Sequence, residues 1–75
     1  MREYELVHEI KNSCPNNQMR DIFFEEIACE DPETWLRQRL EGKSFALSVE
    51  HGVGGTVTIH AEVDGMTEKF LFTPF

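Results

Sequence analysis

Hydrophobic and polar residues alternate along most of this chain, and the alternation divides it into elements. In TVTIHAEVDGMTEKFLFT, residues 56–73, Val57, Ile59, Ala61 and Val63 are apolar at every second position, and the phase resumes at Met66, Phe70 and Phe72. Period-two patterning is the mark of a strand with one buried face. Asp64-Gly65 separates the two runs, and a two-residue type I′ turn needs positive φ at both of its centres, which these residues tolerate. That turn predicts a register in which Val63 faces Met66, Ala61 faces Glu68, Ile59 faces Phe70 and Val57 faces Phe72. Glu62–Thr67, His60–Lys69, Thr58–Leu71 and Thr56–Thr73 then line the other, mostly polar face. One-sided burial requires this division.

Upstream, SFALSVEH places Phe45, Leu47 and Val49 on one face and Ser44, Ala46, Ser48 and Glu50 on the other. For the apolar set to join Val57 and Ile59, odd positions must oppose odd ones, so the connecting loop has odd length. Gly52-Val53-Gly54 is read as a three-residue hairpin loop with Gly54 at the position of a G1 bulge. No helix follows these glycines, which argues against a phosphate cradle.

A different period appears in EDPETWLRQRLEGK, residues 30–43. Leu36 and Leu40 stack at i and i+4 beside Trp35. Asp31 stands at the cap, Pro32 at the first helical position, Glu33 in the first turn, and Gly42 ends the run. Glu33 and Arg37 can pair on the exposed side. A helix of about ten residues is marginal in water and must lie across a sheet. In REYELVHEI, Tyr4, Leu6, His8 and Ile10 alternate with Glu3, Glu5, Val7 and Glu9, which reads as a strand. MRDIFFEEIAC is ambiguous: Met19, Ile22, Phe23 and Ile27 fit a helix, yet the β-rich Ile-Phe-Phe centre and the need for a strand partner favour an extended segment. The predicted order is β-β-α-β-β-β, a single domain over residues 1–75. Its fold class is two-layer α+β, with a five-stranded largely antiparallel sheet and one helix on one face.

Composition changes this picture little. Fourteen Asp and Glu against seven Lys and Arg give a net charge of −7 in 75 residues. That field repels phosphate backbones and anionic lipid, so neither nucleic acid nor a membrane surface is expected as a partner. No apolar run approaches a membrane span, and MREYELVHE lacks the hydrophobic region of a signal peptide, so a cytoplasmic location is expected. Two cysteines, Cys14 and Cys29, are too few for a disulfide scaffold and read as free thiols.

Candidate chemistry is sparse. In NSCPNNQ, residues 12–18, Cys14 precedes a proline among turn formers. A thiol-dependent redox or sulfur-handling role would need Cys14 at the start of a helix over residues 16–28, or Lys11 and Arg20 close enough to lower its pKa. A turn with an incidental cysteine explains the same residues. His8, His51 and His60 share no metal-ligand spacing with each other or with the cysteines; a metal-responsive module is the faintest alternative, and no cofactor is expected. Glu25 and Glu26, adjacent on a strand, point to opposite faces and cannot form one catalytic pair. An enzyme is not expected.

One helix cannot cover both faces of the sheet. Val7, Ala46 and Leu71 fall on the open face, and one of the sets Phe23/Ile27 or Ile22/Phe24 must join them. Apolar patches on small domains mark association surfaces. The predicted function is a non-catalytic binding or assembly module that forms a homodimer or meets another protein. It would use the open sheet face or an edge strand, with Val7, Phe23, Ile27 and Leu71 at the contact.

Overall fold

The computed structural model describes residues 2–11 and 20–75. Five strands and one α-helix follow one another as β1 (Arg2–Lys11), β2 (Arg20–Cys29), α1 (Pro32–Arg39), β3 (Phe45–His51), β4 (Val57–Val63) and β5 (Met66–Pro74). The strands form one sheet in the order β2-β1-β5-β4-β3, and each neighbouring pair is antiparallel. This is the two-layer α+β architecture that the patterning predicts. Among the described residues the sheet is antiparallel throughout.

The β4–β5 hairpin has the predicted register from Val57↔Phe72 to Val63↔Met66, and Asp64 and Gly65 adopt φ of 50° and 84°. The strand pairing stops at Val57, so Thr56 lies outside the ladder. The β3–β4 connection differs from its prediction. Odd positions do oppose odd positions, but His51 pairs with Val57 and Val49 with Ile59, so five residues connect the strands rather than three. A 3-10 turn at Val53–Gly55 occupies the loop, with Gly54 and Gly55 both left-handed at φ of 73° and 83°. Thr56 closes it: its carbonyl accepts from the Gly52 N–H at 2.9 Å and its hydroxyl donates to the Val53 carbonyl at 3.0 Å. Parity is indifferent to adding two residues, so the faces stay correct while the register shifts.

Helix α1 crosses one face of the sheet on its way from the end of β2 to the start of β3. Leu36 and Leu40 are buried against Tyr4 and Leu6 of β1, Ile59, Ala61 and Val63 of β4, and Phe70 and Phe72 of β5. Trp35 and Tyr4 meet Phe72 edge-on, with ring centroids 5.8 and 6.1 Å away. Asp31 occupies the cap position with extended backbone, and its carbonyl accepts from the Trp35 N–H at 3.0 Å. Its carboxylate, predicted to cap the helix, instead accepts from the Thr34 hydroxyl at 2.8 Å. Arg37 donates to Glu33 at 3.0 Å, one turn back, as the spacing predicts. The helix ends at Leu40, and Gly42 takes a φ of 89° as the chain turns into β3.

Candidate functional site at the outer strand

β2 is one of the two outer strands, and among the described residues no strand pairs with its outer edge. It is ten residues long and extended throughout, so the strand reading of this ambiguous segment holds over Arg20–Cys29. Ile22, Phe23 and Phe24 at its centre are 50%, 54% and 73% exposed. A long outer strand carrying exposed aromatics is a template for pairing with another chain, because its outward N–H and C=O groups have yet to find partners.

The β1–β2 register settles which side each residue takes. Val7 opposes Phe24 and Glu9 opposes Ile22, whereas His8 opposes Phe23 and Tyr4 opposes Ile27. On β1's other side Val7 opposes Leu71. The open face therefore holds a cross-strand row, Phe24–Val7–Leu71, with Ile22 beside it. The structure does not gather Val7, Phe23, Ile27 and Leu71 on one face. Phe23 and Ile27 belong to the helix-bearing face, and the set that joins Val7 and Leu71 is Ile22/Phe24. The reason is parity: even positions of β1 oppose odd positions of β2, so the alternation on β2 is inverted relative to β1.

On the helix-bearing face Phe23 extends an aromatic row. The His8 ring stacks on Phe70 with centroids 4.1 Å apart and planes 17° apart, and lies 6.0 Å from Phe23. His8 Nε2 is 2.6 Å from Glu68 Oε1, a part-buried contact that gives this ring a hydrogen-bond partner. Beside Phe23, Arg39 reaches down from α1 to Glu25 at 2.9 Å, with its guanidinium 5.0 Å from the centroid of Trp35. Glu25 is thus a charge already answered within its own subunit. Past the apolar row on the open face, Glu5 and Glu26 stand directly opposite each other. Like charges so placed weaken the local ladder.

The residues proposed for thiol chemistry are not brought into such a site. Cys14 lies outside the described residues. Lys11 and Arg20 are cross-strand neighbours in the β1–β2 ladder. Residues 20–29 are a strand, so no helix runs through to residue 28 to lower a thiol's pKa from Cys14. Cys29 is buried at the end of β2, where burial, and secondarily the charge of Asp31, pushes its pKa above the usual thiol range. It lines an open groove of about 440 Å³ with Asp31, Thr34 and Trp35, as a protonated and weakly nucleophilic group. His8, His51 and His60 stand on three different strands. Among the described residues no three His, Cys, Asp or Glu side chains converge as metal ligands, and no helix is long and apolar enough to cross a membrane. Comparison of the chain with protein families, with curated proteins and with solved structures finds no match, so a functional reading rests on the molecule's own geometry.

Proposed function

We propose that this protein is a small cytoplasmic assembly module, without catalytic activity, that associates with its own kind through the outer edge of β2. The observation that carries the reading is the exposure of Ile22, Phe23 and Phe24 on consecutive positions of an outer strand whose outer edge has no paired strand among the described residues. Residues of both faces are left open there, so the surface to be covered is the edge itself and not only the open face. Main-chain hydrogen bonds of strand addition supply affinity that does not depend on a deep pocket, and flanking aromatics supply the apolar burial. Val7 and Leu71, half-buried in the row behind Phe24, extend the apolar surface inward.

Light scattering with Phe24→Glu tests this. The native chain is expected to run as a dimer at tens of micromolar and the variant as a folded monomer with an unchanged far-ultraviolet circular dichroism spectrum. A native chain that stays monomeric at that concentration overturns the reading.

A further inference from the structure

We infer that the occupant of the β2 edge is a second copy in one particular antiparallel register, with a two-fold axis through Phe23, giving a continuous ten-stranded sheet. The inference rests on the association reading above and adds to it the register and the geometry.

Antiparallel strands related by a two-fold axis place residues whose numbers sum to a constant opposite each other, and directly opposed side chains share a face. Same-face pairing requires an even sum, so the axis passes through one residue of β2. With the axis at Phe23, Phe23 meets Phe23 of the second copy, and Ile22 meets Phe24 of the second copy twice over. All three exposed apolar residues are then matched with apolar residues. With the axis at Phe24, Phe23 opposes Glu25 and Ile22 opposes Glu26. With the axis at Ile22, Phe23 opposes Asp21. Both alternatives bury aromatic area against a carboxylate.

The charges are compatible with the same register. Asp21 opposes Glu25 of the second copy, which would be repulsive were Glu25 unanswered. Arg39 already sits 2.9 Å from Glu25 on that face, so Asp21 approaches an ion pair rather than a lone carboxylate. On the helix-bearing face the row Phe70–His8–Phe23 meets its own image, and aromatic rings run continuously across both subunits. On the open face the row Leu71–Val7–Phe24 continues into Ile22 of the second copy. Closed two-fold pairing also uses up both β2 edges, so growth through β2 stops at two copies.

A cysteine scan reads the axis directly. Single variants D21C, I22C, F23C, F24C and E25C, each made with Cys14→Ser, are oxidised gently and resolved without reductant, and light scattering is run on the reduced samples. Only a residue on the axis faces itself. At position 21 or 25 the two sulfurs would stand about 14 Å apart along the strand, beyond disulfide reach. F23C is expected to yield the most covalent dimer, and a mixture of D21C with E25C is expected to cross-link where neither does alone. That mixture keeps all three apolar residues, so loss of Phe23 cannot mask the result. Self-cross-linking strongest at another position overturns the register and leaves the edge association standing. A dimer in solution with no cross-link at any of the five positions, mixture included, overturns both the register and the use of β2. A monomer overturns the association itself.

Discussion

Phe72→Ala compared with Phe24→Ala separates burial from residue type, because the two phenylalanines sit in the same sheet. Phe72 is fully buried beneath Trp35 and beside Tyr4, whereas Phe24 is 73% exposed. Removing a buried phenylalanine ring costs about 3–5 kcal/mol, including the cavity it leaves. A domain of this size holds about 4–11 kcal/mol of stability in total, so Phe72→Ala consumes roughly a quarter of it or more. About a quarter of Phe24's surface is covered, roughly 50 Å² of a ~200 Å² side chain, which at ~25 cal/mol per Å² is worth about 1 kcal/mol. The remaining ~150 Å² is available to a partner and sets a ceiling of about 3–4 kcal/mol per copy on what its burial contributes. Urea unfolding followed by circular dichroism and by Trp35 fluorescence measures both costs. At sub-micromolar protein, where subunits separate, Phe24→Ala is expected to shift the transition slightly and Phe72→Ala severely. At tens of micromolar the native transition is expected to move to higher urea by mass action, and Phe24→Ala is expected to lose that concentration dependence. Equal costs for the two variants at the low concentration would mean that Phe24 is roofed within its own subunit, and the argument from exposure would fail.

Glu68→Ala removes the partner of the part-buried His8 ring and is expected to cost about 1–3 kcal/mol in thermal or urea unfolding, with Glu68→Gln milder because an amide oxygen can still accept. Gly65→Ala is expected to cost about 1 kcal/mol by the same measurement: there is open space around the added methyl, so the penalty comes from its φ of 84° alone. Arg39→Ala removes an exposed ion pair and the stacking on Trp35, and its cost is expected to stay below about 1 kcal/mol. Cys29 is expected to react with alkylating reagents more slowly than a free thiol, with a rate midpoint above the usual value of about 8.5. Because the fold favours the protonated thiol, this group's contribution is complete below the unfolded thiol's pKa and declines as pH rises through the folded one. Native protein is therefore expected to lose stability above about pH 8.5 faster than Cys29→Ala does; parallel pH curves would contradict the burial of this group.

The parts legible in the sequence were those in which a local turn dictates a long ladder. Asp64-Gly65 settles seven cross-strand pairs because only one turn geometry suits those two residues. Gly52–Gly55 was harder, since two consecutive left-handed glycines lengthen the loop by two and leave the alternation looking the same. The extended state of β2 could be argued from its β-branched and aromatic centre. Its facing could not: Ile22, Phe23 and Phe24 put apolar residues on both sides, and Glu25 and Glu26 put carboxylates on both sides. What decides the facing is the pairing of β1 with β2, in which Arg2 opposes Cys29 and Lys11 opposes Arg20. The turn formers of residues 12–18 announce a break between the two strands but not how many residues it takes, and that number sets the facing. The contact between Arg39 and Glu25 was equally hidden, because the two residues are 14 apart in the chain and meet only once the helix is packed on the sheet.

The order β2-β1-β5-β4-β3 seats the earliest and latest strands side by side at the centre of the sheet, with Leu6 against Phe72. A ribosome releasing this chain exposes β1 and β2 before β5 emerges to flank them, and the two strands alone bury too little to persist. Closing so long a loop costs entropy before any contact rewards it, which places folding toward the slow end for a domain of this length. During that interval both flanks of the nascent hairpin are naked, and the Ile-Phe-Phe segment is as available to a stranger as to its proper mate.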